Sequence, residues 1–99
     1  MVITILEGRV DKAHWGTLAG AFRTLSAQER PGGLLESFLI QDRDEPGLWR
    51  ICTLWESREA LEAVQSAGKA PAGVQMFRHA DAEPKLRIFE VRETLERPD

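Results

Sequence analysis

Few side chains in this sequence belong to types that do acid–base or nucleophilic chemistry near neutral pH. It has two histidines, His14 and His79, and one cysteine, Cys52. Imidazole titrates closest to neutrality, so each histidine is a candidate general base. His79 follows the run "VQMFR", residues 74–78, and His14 precedes Trp15. Their plainer roles are an exposed loop residue and a helix-surface residue. The third candidate is Glu7, a carboxylate late in the apolar run "VITILEGRV". Burial there would raise its pKa, whereas pairing with Arg9, Arg50 or Arg92 would make it an ordinary rim residue. Trp15, Phe22, Trp55, Met76 and Phe77 are large enough to wall an aromatic ligand, and equally suited to a plain core. Arg50 and Arg87 fall among apolar neighbours, where they would meet either an anionic oxygen or a carboxylate across an interface.

Several chemistries lack their residues. No histidine or cysteine recurs at metal-ligand spacing, so no metal is expected. "PGG", residues 31–33, is a turn and not a phosphate loop, and no dinucleotide or Walker pattern follows a strand. No nucleophile elbow is present. Hydrolytic, phosphoryl-transfer and nicotinamide chemistry are therefore unsupported, and no cofactor is expected. A lone cysteine makes no intrachain disulfide, and in an apolar strand Cys52 reads as a small buried hydrophobe. The net charge is −3 with acids and bases interspersed. No basic stripe could neutralise a run of phosphates, so a nucleic-acid partner is not expected. The start "MVITILEGRV" lacks a basic, apolar and small-residue leader pattern. No apolar run approaches the ~20 residues of a membrane span. A cytoplasmic location is the expectation.

The elements that must position these residues follow from periodicity. With 99 residues, one domain over residues 1–99 is the default. Residues 2–10 are rich in β-branched side chains and predict a strand. Asp11 is placed to cap the helix that follows, in which Trp15, Leu18, Phe22 and Leu25 form one stripe. Gly16 and Gly20 weaken that helix and suggest the close approach of a neighbour. "LLESFLIQ", residues 34–41, is a second strand, and "DRDEPG", residues 42–47, a turn of the kind that joins antiparallel strands. Residues 48–56 form a third strand. It carries Trp49, Ile51, Thr53 and Trp55 on one face, and parity alone does not say which way that face looks. Ser57 caps a helix over residues 58–67, ended by Gly68. A short helix over residues 71–78 and a strand over residues 85–95 complete the chain, and residues 96–99 are a loose tail.

The order β-α-β-β-α-(α)-β predicts an α+β, ferredoxin-like split βαβ fold: a four-stranded antiparallel sheet with helices on one face. Three of the strands are apolar on both sides. The second face would be a large exposed patch, so a homodimer packed through the open sheet face is expected.

At the strand-to-helix joint, "WRICTLWESREALEAVQSAG", the chain resembles the antibiotic biosynthesis monooxygenase (ABM) domain, a branch of the dimeric α/β-barrel proteins. Thr53, Trp55, Glu56, Ser57, Glu59, Ala60 and Leu61 carry the resemblance, with "PGGLLESFL" leading into the second strand. The resemblance implies a cofactor-independent monooxygenase acting on a quinol or polycyclic phenol. It equally admits a non-catalytic small-molecule-binding or stress-related protein, a haem-binding or haem-degrading monooxygenase, and an isomerase. The haem-degrading branch carries a further Trp and a haem-ligating His where this sequence has Val64 and Gly73. Its first-strand Asn is replaced here by Glu7 or a neighbour. These departures count against haem. On the oxygenase reading, His79, His14 and Glu7 are the candidate bases, and the five large apolar side chains bind the ring.

Overall fold

The computed structural model describes residues 1–28, 30–67 and 71–96. Its elements run β1 (Val2–Arg9), a 3₁₀ turn (Lys12–His14), α1 (Trp15–Ser26), β2 (Leu34–Gln41), β3 (Leu48–Trp55), α2 (Arg58–Gln65), α3 (Ala72–His79) and β4 (Lys85–Glu90). The strands form one sheet in the order β2-β3-β1-β4, with every neighbouring pair antiparallel. This is the ferredoxin-like α+β arrangement, in which each β-α-β unit brings its second strand back into the same sheet.

Sheet register resolves what parity left open. Thr4 pairs with Thr53, and Val2 with Trp55. Val2, Thr4, Leu6, Ile51, Thr53 and Trp55 are all buried, so the Trp49–Trp55 face of β3 looks toward the helices. Ile3, Ile5, Cys52 and Leu54 point to the opposite, open face and are half-buried. One core cluster joins Leu6, Val10, Leu18, Ile51, Met76, Phe77 and Ala80; a second joins Val2, Trp55 and Leu61.

The α1 stripe is as its spacing predicts. Leu18 is fully buried, and Trp15, Phe22 and Leu25 pack against the core. Two local expectations need correction. The Asp11 side chain caps nothing; its backbone carbonyl accepts from the His14 N–H at 2.8 Å to close the 3₁₀ turn. Gly16 and Gly20 receive no neighbouring element. A methyl group at Gly16 would meet nothing within 4 Å, and one at Gly20 only the Arg23 guanidinium at 4.0 Å.

The close approach occurs instead at Gly73 of α3. A Cβ there would lie 2.6 Å from Leu6 Cδ1, so any larger residue would displace the Leu6 side chain where α3 rests on β1. Ser57 caps α2 as expected, its Oγ accepting the Ala60 N–H at 3.1 Å. The expected stop at Gly68 lies outside the described residues, as do residues 97–99 of the tail. β4 ends at Glu90 rather than at 95 because Glu90 already pairs with Val2, the first residue of β1. Beyond it β1 offers only the Met1 carbonyl, which accepts from the Val91 N–H. Among the described residues, no helix is long and apolar enough to cross a membrane.

Candidate functional site

Between the helix-facing surface of the sheet and the three helices lies a cavity of about 290 Å³. That is near the lower end of the ~300–1,000 Å³ usual for small-molecule sites. Thr4, Leu6, Ile51, Thr53 and Trp55 form its floor, Phe22 and Leu25 come from α1, Leu61 and Val64 from α2, and Gly73, Val74 and Met76 from α3. Arg30, Pro31, Gln65 and Pro71 also line it and are exposed, which places its mouth at that end. The arrangement follows from the sequence. The α1 and α3 stripes turn their large apolar residues inward, and β1 and β3 present alternate residues to them.

The polar content is small. The Trp55 Nε1–H donates to Thr4 Oγ1 at 3.0 Å, and the Ser37 and Thr53 hydroxyls share a hydrogen bond of 2.9 Å. Among the described lining residues Arg30 is the one charged side chain; no carboxylate, imidazole or thiol reaches the wall. Such a site can hold a small, largely apolar molecule and give it a few hydrogen bonds. It supplies no proton acceptor with a pKa near neutrality.

The candidate residues divide accordingly. Phe22, Trp55 and Met76 line the cavity. Trp15 does not. Its indole N–H donates to the Val10 carbonyl at 2.9 Å and its ring meets Trp49 edge-on at 6.0 Å. Phe77 is fully buried in the core beside the cavity. None of the three candidate bases enters. His79 ends α3 on its exposed side, because the helix spends Met76 and Phe77 on the inward face. His14 lies in the 3₁₀ turn, partly covered, with Nδ1 buried and without a partner among the described residues.

Glu7 sits on the open sheet face, opposite the cavity. There it accepts from Arg50 Nε at 2.7 Å, while Arg50 Nη1 reaches Asp42 at 3.3 Å. The bonds to Asp42 and Glu7 push the Arg50 guanidinium further up. The plainer reading of Glu7 as an ion-pair partner is the one its position fits. Arg87 lies over the Phe89 ring at 5.2 Å on that same face. Cys52 also faces that way; burial pushes its thiol up, with Arg50 partly offsetting the effect, so it is a poor nucleophile. The hydroxyls of Thr4 and Ser37 are functional candidates that the motifs did not point to, and Thr53 entered only as a residue of the resemblance. A small hydroxyl side chain among the apolar residues of each of the three strands β1, β2 and β3 was their signal.

The lining does not fit a haem. Haem iron is held by His, Cys or Tyr, or by Met opposite a His, so Met76 alone does not supply a ligand set. The chain has no tyrosine, and no histidine or cysteine lines the cavity. At Gly73 any side chain would run into Leu6. Among the described residues no group of three His, Cys, Asp or Glu side chains is placed to hold a metal ion.

Comparison with known proteins places the molecule. The profile of the antibiotic biosynthesis monooxygenase family matches residues 1–76, and the chain belongs to that family. No curated protein sequence matches it. Among solved structures it is similar to a Deinococcus radiodurans protein described as a candidate antibiotic biosynthesis monooxygenase. That pair shares 19% identity, with 100% of both chains covered and a TM-score of 0.76. It is also similar to SnoaB from Streptomyces nogalater, described as a cofactor-independent oxygenase, at 18% identity, 97% coverage of each chain and a TM-score of 0.70. A conserved Methanosarcina mazei protein matches at 11% identity, 92% coverage of each chain and a TM-score of 0.70. At these identities the likeness is one of fold.

Proposed function

We propose that this protein is a cofactor-independent monooxygenase of a quinol or polycyclic phenol, working as a homodimer joined through the open sheet face. The observation that carries the reading is the cavity itself: apolar, walled by Trp55, Phe22 and Met76 and sparing in polar groups, in a chain of this family. An electron-rich phenol can reduce O₂ without help once ionised. In the overall balance, a ring C–H para to the hydroxyl becomes a second carbonyl. One oxygen atom enters the ring, and the other leaves as water with the ring hydrogen and the phenolic proton. All four electrons come from the ring, so the protein must only admit O₂, orient the ring and favour its anion.

A second reading is a non-catalytic binding protein. It is favoured by the absence of any carboxylate, imidazole or thiol among the described lining residues. Oxygen uptake separates the two. With a panel of quinols and polycyclic phenols, the oxygenase consumes one O₂ per product, and labelled O₂ leaves one labelled atom in the quinone. His79→Ala turns over as the parent does. Phenols that bind without any uptake would establish the binding protein and sink the oxygenase.

A further inference from the structure

Three hydroxyls cross the cavity floor in a line. Thr53 on β3 pairs with Ser37 on β2 on one side and with Thr4 on β1 on the other. All three line the cavity, and Thr4 and Thr53 are only 7% and 8% exposed. Each hydroxyl has one proton to donate. One of the three protons is spent in the Ser37–Thr53 bond of 2.9 Å. Thr4 Oγ1 is an acceptor, for the Trp55 indole N–H at 3.0 Å, and no bond uses its proton among the described residues. Nor does any acceptor there take the remaining proton of the Ser37–Thr53 pair. Buried donors left without acceptors are disfavoured unless something else supplies one. Here the open space in front of them is the cavity.

We infer that the Ser37–Thr53–Thr4 row is the oxygen anchor of the ligand. It donates to acceptor oxygens on one edge of a flat aromatic molecule and lowers the pKa of a phenol bound there. The free protons are one on Thr4 and one on the Ser37–Thr53 pair. Thr4 and Thr53 stand on adjacent strands about 4.8 Å apart, so these two donors suit two oxygens across a single ring. Neutral donors bond an oxyanion more strongly than a neutral phenol. The bound phenol therefore ionises at lower pH, and its proton passes to solvent through the mouth. That replaces the protein base the cavity lacks. The ligand class is a hydroxylated ring bearing a carbonyl or second hydroxyl oxygen. The inference rests on the cavity being the substrate site, but not on turnover.

The test is an anaerobic titration with 1,4-dihydroxyanthraquinone, whose colour reports ionisation, and with anthracene, which has no oxygen. The parent protein should bind the first with its ionisation moved down by one pH unit or more, a tenfold preference for the anion. Thr53→Val and Ser37→Ala should each bind it several-fold more weakly and lose most of that shift, while anthracene binds all three proteins alike. Equal affinity and equal ionisation in parent and variants would overturn the anchor. So would failure of the parent to bind the probe, or a parallel loss of anthracene binding, which would make the row structural. If the shift is found and oxygen uptake is not, the anchor stands and only the oxygenase reading falls.

Discussion

Asp42 does two jobs from one carboxylate. Its Oδ1 accepts the backbone N–H groups of Asp44 and Glu45 at 2.9 and 2.8 Å, closing the β2–β3 connection, and its Oδ2 takes Arg50 Nη1 at 3.3 Å. The bonds from the Glu45 and Asp44 amides, then that from Arg50, hold the Asp42 carboxyl below its ordinary value of 3.8. A carboxyl lowered in the folded state binds fewer protons there than in the unfolded chain. Its contribution is thus fully present above the unfolded pKa and is lost as pH falls through the folded one. Asp42→Ala should therefore lower Tm near pH 7, and the gap to the parent should close as pH falls from about 4 toward 2. A gap that stays constant over that range would show that the carboxylate's charge is not what matters. Asp42 stood out in the sequence as a turn residue. Its bond to Arg50 could not be read there, because only the register of β2 on β3 brings position 50 within reach.

The elements show the same division between what is local and what is not. The α1 stripe, the Ser57 cap and the β2–β3 turn were legible because each depends on residues a few positions apart. The face of β3 and the hydroxyl row were not. β3 is apolar on both sides, so nothing local orients it, and Thr4 meets Thr53 only because β1 lies between β3 and β4. His79 was a candidate base because it follows the run "VQMFR", and its plainer reading as an exposed residue is the one its position fits. Once Met76 and Phe77 take the inward face, a residue two positions on falls outside. Glycines follow this logic too. A methyl group added at Gly20 of α1 has only the Arg23 guanidinium at 4.0 Å, whereas Gly33 has φ +86° and would place a Cβ 2.4 Å from Ala60 Cβ. Gly20→Ala should stabilise the protein by about 0.5–1 kcal/mol, the helix-propensity difference. Gly33→Ala should cost about 2 kcal/mol or more, from left-handed strain and a clash between the β2 approach and α2. Urea denaturation measures both, and a double-mutant cycle with Ala60→Gly should show coupling, since the clash needs both methyl groups. A Gly33→Ala variant as stable as the parent would mean that this contact yields without cost.

At the scale of the whole molecule the unmet demand is the open sheet face. Phe38, Ile40 and Phe89 remain 53%, 42% and 41% exposed, and they flank a centre of half-buried Ile3, Ile5 and Leu54. Three of the charges on this face, Arg50, Glu7 and Asp42, already answer one another, and Arg87 lies over the Phe89 ring. Covering them would leave that trio with its partners in place, which is the condition under which a buried ion pair is tolerated. A stable interface buries about 800 Å² per partner, about a tenth of the 7150 Å² surface of this chain. One sheet face is large enough to provide that. A second copy satisfies the demand with the same patch on both sides, as two-fold symmetry requires. The protein should therefore sediment at about twice its 11.1 kDa chain mass at micromolar concentration. Phe38 is exposed within the subunit, so Phe38→Asp should leave the fold and its circular dichroism unchanged. It would place an unpaired carboxylate on each side of the interface and should reduce the particle to a monomer. A parent that runs as a compact monomer, or a Phe38→Asp variant that dimerises as the parent does, would show that this face is not where the copies meet.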